Sequence, residues 1–248
     1  MKSLKNVGIT VFIMVAALFI PVISNYMTLL SGRNIDGNSL GGGIILTIFF
    51  YSLQTGIAII IGRFVFHISL TDMGFNCKNG KLTIKMLGWF IPIWLLLVIL
   101  FYVIGLNCIA EFDAYVSHYY VIDKLRMQKN LVTKCLLAGF GEEPFFRGFI
   151  VSSLVTIIIR YVGIGKVKIP LVAIISGLLF ALAHIEYQIM PFKIIYIDVV
   201  QLSVTFILGT FWSIMLIKTK SILGPIIAHT CANIFQVMGG YFVAYYIL

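Results

Sequence analysis

The chain has 248 residues, 60% hydrophobic and 11% charged, with a net charge of +9 and a mean hydropathy of +1.05. That balance excludes both a soluble domain and a disordered chain. The apolar runs exceed the roughly 17 to 25 residues that cross a bilayer as a helix, and they lack the alternation of a membrane barrel. The fold class is therefore all-α, a polytopic transmembrane bundle of about seven spans, six to eight at the limits.

The positions of the charges carry more than their sum. With the amino terminus on the cytoplasmic side, the inner segments hold Lys2, Lys5, Arg63, Lys78, Lys81, Lys85, Arg160, Lys166, Lys168, Lys218 and Lys220 against one acid, Asp72. The outer segments balance Arg33, Lys124, Arg126, Lys129, Lys134 and Lys193 against Asp36, Glu111, Asp113, Asp123, Glu186 and Asp198. This is the asymmetry of the positive-inside rule, so the basic excess sets orientation and implies no nucleic acid. The cysteines at 77, 108, 135 and 231 have no metal or disulfide spacing and read as packing residues.

In chain order, the first span covers about Val7 to Leu30. It is too long for a signal core and lacks a clear small-residue cleavage site, which makes it a retained span. The polar, glycine-rich connector SGRNIDGNSLGGG follows, and then a second span from about Gly43 to Phe66. Neither span holds a charge at mid-depth, and residues 1–130 show no chemical motif. A basic loop, His67 to Lys85, precedes a third span from about Met86 to Cys108. The mixed tyrosine and charge stretch Glu111 to Asn130 reads as an interfacial helix or cap.

The fourth span, about Leu131 to Ile159, contains GFGEEPFFRG at 139–148. Each ionisable group near a bilayer centre costs roughly 2.5 to 3.5 kcal/mol on insertion scales, so such groups are usually paired and functional. Glu143 and Arg147 are four residues apart and can pair on one helix face, which leaves Glu142 as the spare carboxylate. Pro144 removes a backbone donor and predicts a kink beside the carboxylates. The fifth span, about Ile169 to Met190, carries His184 within FALAH. The sixth, about Ile194 to Ile217, starts near Asp198, and its Gly209 allows close helix approach. The seventh runs through SILGPIIAHTCANIF, where His229 and Asn233 lie four apart on one face.

Three spans thus bring polar groups to mid-membrane depth: Glu142, Glu143 and Arg147; His184; His229 and Asn233. At about 1.5 Å per residue, Glu142 and His229 both lie roughly 13 to 17 Å from a membrane edge, with His184 nearer the outer end. One carboxylate, two histidines and an amide are the parts for activating water against a carbonyl. Glu142 can take the water proton, His184 can orient the water, and His229 with Asn233 can donate to an oxyanion. Two histidines and a glutamate, His184, His229 and Glu142, are equally a catalytic zinc set. The HExxH, GxSG and GxGD motifs of other membrane and soluble proteases are absent.

The three motifs, EExxxR (Glu142, Glu143, Arg147), FxxxH (Phe180, His184) and HxxxN (His229, Asn233), resemble in order and spacing the CPBP family, the CAAX proteases and bacteriocin-processing enzymes also called Abi proteins. The resemblance covers Leu131 to Phe235. It implies an intramembrane endopeptidase related to the type II CAAX prenyl protease, with a catalytic core at 131–248 preceded by helices at 1–130. It assigns Glu142 as the base, His184 as its partner, and His229 with Asn233 as the oxyanion site. It also implies a membrane-associated peptide or protein as substrate, residence in a bacterial cell membrane, and a metal-independent mechanism. No cofactor is favoured, and zinc would take the three-residue set above. The alternatives are a non-catalytic CPBP-like adaptor or self-immunity protein, and a proton-coupled transporter, which the lack of an internal repeat of spans disfavours.

Overall fold

The computed structural model describes residues 2–188 and 193–248. Helix α1 (Lys2–Ser31) and helix α2 (Leu40–Ile60) pack together, α2 starting at Ser39, whose hydroxyl accepts from the Gly42 N–H at 3.0 Å. A π-helical turn, π1 (Ile61–Val65), extends α2. Helix α3 (Gly80–Cys108) is the next apolar traverse, and the interfacial stretch supplies the short helix α4 (Phe112–Tyr119).

The motif-bearing span is a continuous helical rod over 124–154 that alternates between two windings. It comprises α5 (Lys124–Asn130), π2 (Leu131–Leu137), α6 (Ala138–Glu143), π3 (Pro144–Val151) and α7 (Ser152–Leu154). Pro144 has no N–H and its ring crowds the carbonyl four residues back, and the second π segment begins at that residue. The kink expected beside the carboxylates is thus a change of helical winding. The rod ends at Leu154 rather than Ile159, giving way to turns and a hairpin of β1 (Tyr161–Ile164) and β2 (Val167–Pro170).

The fifth span departs most from expectation. Helix α8 (Leu171–Leu182) has 12 residues, and β3 (Glu186–Gln188) pairs antiparallel with β4 (Lys193–Tyr196) where helix was expected. His184 Nδ1 lies 2.8 Å from the Phe180 carbonyl oxygen. The histidine thus engages an end carbonyl of α8 and stands just past the helix instead of inside it. The expected end at Met190 lies outside the described residues. Helix α9 (Val199–Thr219) is capped by Asp198, which accepts from the Gln201 N–H at 2.9 Å. Helix α10 (Leu223–Tyr246) runs unbroken through Gly239 and Gly240.

Among the described residues five helices are long and apolar enough to cross a membrane, at 6–31, 40–65, 80–108, 199–219 and 223–246. The rod and the short α8 bring the bundle to the expected count of about seven. The chain is an integral membrane protein, with large apolar side chains such as Phe19, Ile84 and Trp89 exposed on the outer faces of α1 and α3. The loops form two sets. Asn76, Asn79 and Ser221 tie the 66–79 loop to the α9–α10 turn, while Lys129 bonds Gly37 and Asn130 bonds Tyr241.

The main core is an apolar cluster drawn from α1, α2, α3, π3, α7, α8, α9 and α10, with two smaller clusters around Tyr102 and Tyr241. Its tightest contact is between α8 and α9. A Cβ placed on Gly209 would lie 3.1 Å from the Gly177 Cα and 3.0 Å from the Phe180 ring, so the two backbones approach as they could with no larger residue. Small residues at the crossing let helices gain packing contacts that a lipid neighbour would not supply.

Candidate active site

The polar residues meet where α6, π3, α8, α9 and α10 face each other. Glu143 and Arg147 do pair: Arg147 Nη1 donates to Glu143 Oε1 at 3.1 Å, and both side chains are 0% exposed. Across the bundle, His229 Nδ1 lies 2.8 Å from the same Glu143 oxygen. Glu143 therefore joins π3 to α10, and because a carboxylate only accepts, Nδ1 carries the hydrogen. Nε2 is the His229 nitrogen left for chemistry. It points at Glu142 Oε2, 3.9 Å away, beyond direct hydrogen-bond length and wide enough for a small intervening group.

The Arg147 guanidinium lies in an aromatic cage, its Cζ 4.4 Å from the Phe180 centroid, 5.2 Å from Trp212 and 5.7 Å from Phe146. Cation–π attraction of roughly 0.5 to 2 kcal/mol per contact helps offset desolvation of a fully buried cation. Gly209 makes room for it, since a Cβ there would lie 3.1 Å from Arg147 Nη2. Phe180, the aromatic residue of the FxxxH motif, also meets both histidine rings, at centroid distances of 4.8 Å to His184 and 5.8 Å to His229. Trp212 stacks on His229 at 4.3 Å. The aromatic layer thus fixes the plane of His229 while Glu143 fixes its tautomer.

Glu142 differs from its neighbour. Its side chain keeps 19% exposure. Its Oε1 accepts from the Tyr51 hydroxyl at 2.9 Å, so a residue of α2 completes its surroundings. One turn on, Thr55 donates to the Gly141 carbonyl at 3.2 Å. Sequence reasoning passed over Tyr51 and Trp212, because aromatic residues in apolar spans carry no polarity signal. Asn233, four residues after His229, donates through Nδ2 to the Lys134 carbonyl at 2.7 Å and so ties α10 to π2.

His184 Nδ1 is engaged with the Phe180 carbonyl, leaving its Nε2 free of that bond. Among the described residues no three His, Cys, Asp or Glu side chains converge as a metal set, so His184, His229 and Glu142 do not fit a zinc ion as they stand. Beside Tyr51 opens a cavity of about 840 Å³, lined in part by Asn25, Tyr26, Lys134, Glu186 and Ile195. It brings α1, α2, the rod and the β3–β4 hairpin around one space next to the carboxylate.

No curated protein and no solved structure matches the chain. The family model described as type II CAAX prenyl endopeptidase Rce1-like matches residues 129–235, a stretch that contains Glu142, Glu143, Arg147, His184, His229 and Asn233. That match spans the helices that build this polar site and a little under half of the chain, and residues 129–235 are similar to this family.

Proposed function

We propose that the protein is an intramembrane endopeptidase that hydrolyses a peptide bond of a membrane-associated peptide or protein through water activated by Glu142. One observation carries the reading: of two adjacent carboxylates, Glu143 is sealed and doubly bonded, whereas Glu142 keeps access and faces the free nitrogen of His229. A buried carboxylate held by two bonds through one oxygen sets the field, and an accessible one exchanges protons.

In this mechanism Glu142 takes a proton from water as the water oxygen bonds to the substrate carbonyl carbon. His184, with Nδ1 donating to Phe180, offers Nε2 as an acceptor that orients the water. The carbonyl oxygen becomes an oxyanion that accepts from His229 Nε2 and from the second Nδ2 hydrogen of Asn233, the first being bonded to the Lys134 carbonyl. Donation from Nε2 requires a hydrogen on each ring nitrogen of His229, the one on Nδ1 being bonded to Glu143. Glu142 then passes its proton to the leaving nitrogen as the carbon–nitrogen bond breaks, giving a carboxylic acid and an amine, and the acid proton moves to the amine to leave a carboxylate and an ammonium group. A preorganised donor to an oxyanion is worth roughly a hundredfold to a thousandfold in rate.

The substrate enters from the bilayer through the cavity beside Tyr51, and the basic loops hold the amino terminus on the cytoplasmic side of a bacterial cell membrane. The test compares wild type and Glu142→Gln in detergent on a panel of membrane-associated peptides. Loss of cleavage with unchanged membrane insertion is expected. Near-normal turnover by Glu142→Gln would exclude it as the base, and rescue of cellular function by the inactive variant would favour an adaptor role.

A further inference from the structure

We infer that Tyr51 is a positioning residue for Glu142, supplied by a helix outside the family-matched segment. The inference rests on the endopeptidase reading above.

The argument begins with the two oxygens of Glu142. Oε1 accepts from the Tyr51 hydroxyl at 2.9 Å, and Oε2 faces His229 Nε2 at 3.9 Å. A glutamate side chain has three rotatable bonds, and a partly exposed one samples several rotamers unless it is held. The phenol holds one oxygen from the cavity side, which turns the other toward the histidine. Oε2 is therefore the oxygen that takes the water proton, and Tyr51 decides which oxygen that is.

The phenol is itself rigidly placed. Its ring lies against Gly141, where a Cβ would come within 2.1 Å of Tyr51 Cγ, so the absence of a side chain at 141 makes the seat for the ring. Thr55, on the same face of α2, binds the Gly141 carbonyl and fixes α2 in register with the rod. Tyr51 also lines the cavity, so it stands between approaching substrate and the carboxylate. Phe would fill the Gly141 seat equally well, and among the described residues the hydroxyl adds a hydrogen bond to Glu142.

Ring and hydroxyl can be separated by experiment. Tyr51→Phe keeps the ring on Gly141 and removes the donor, whereas Thr55→Val removes the helix-to-rod bond without touching Glu142. With purified protein and a cleaved peptide, Tyr51→Phe is expected to lower kcat about ten- to a hundredfold, the worth of a hydrogen bond to a charged group, with KM within about twofold. Its thermal midpoint should match wild type, and Thr55→Val should keep wild-type kcat.

Equal kcat for Tyr51→Phe and wild type overturns the inference while leaving the endopeptidase reading intact. So does a Thr55→Val variant that loses as much kcat as Tyr51→Phe, since the effect would then be helix placement. A wild type that cleaves no peptide overturns both.

Discussion

His229 and Arg147 bind the same oxygen of Glu143, at 2.8 Å and 3.1 Å, from two different helices. The sequence spacing gave Arg147 its partner within one helix turn, but the histidine comes from α10. Glu143 is thus the joint between the rod and the last helix, and it fixes His229 so that Nε2 faces Glu142. The neighbouring carboxylates have separate duties, one holding the histidine and the other facing it.

His229→Ala should therefore lose two things at once. Cleavage should fall by roughly a hundredfold or more, the worth of an oxyanion donor. The protein should also unfold at a lower temperature, because Glu143 is left fully buried with Arg147 alone. Initial rates and thermal unfolding in detergent read the two effects. Loss of activity with an unchanged unfolding temperature would show that the Glu143 bond contributes nothing to the fold.

Arg147→Ala strands Glu143 in a site with no solvent exposure. Breaking a buried pair by removing one partner costs about 3 to 5 kcal/mol, so abundance in the membrane should drop along with activity. Arg147→Lys should rescue it poorly, since a lysine lacks the planar guanidinium that stacks against Phe180 and Trp212. Quantifying folded protein by detergent-resistant fluorescence from a fused reporter checks this; wild-type abundance for Arg147→Ala would show the pair is dispensable.

Gly141→Ala places a methyl 2.1 Å from Tyr51 Cγ and 2.5 Å from Tyr51 Cβ. Those atoms sit close to the α2 backbone, so the ring cannot swing away without moving the helix. Overpacking of this kind costs roughly 1 to 3 kcal/mol. Adding Tyr51→Ala to Gly141→Ala should restore the amount of folded protein and leave cleavage low. If the double variant is no more abundant than Gly141→Ala, the contact is not what limits folding.

A strong zinc chelator should leave cleavage unchanged, because among the described residues no three His, Cys, Asp or Glu side chains converge as a metal set. Rates measured before and after chelation, and after adding zinc back, decide this. Loss on chelation with recovery on zinc would require His184 and His229 to rearrange around a metal.

Much of the bundle was legible in the sequence because the bilayer penalises charge. Glu142, Glu143 and Arg147 stand out within an apolar run for that reason, and the basic loops sort by side. Pro144 announced its local disturbance through the missing N–H. The fifth span was not legible: the apolar run of α8 continues through Ala183 and Ile185 between polar residues, and hydropathy cannot say where helix yields to hairpin. The structure places that change where His184 closes the helix at the Phe180 carbonyl, four residues back, and β3 pairs with β4.

The amino-acid sequence by itself determined the membrane class, the orientation bias, the Glu143–Arg147 pair and the three polar motifs. Each of these is local, written in polarity and in a spacing of four. Only the tertiary structure decided which partner each motif residue takes. Tyr51 reaches Glu142 across 91 positions of sequence, and His229 reaches Glu143 across 86. A tyrosine in an apolar helix costs the bilayer little, so it leaves no mark in the sequence until packing brings its hydroxyl to a carboxylate.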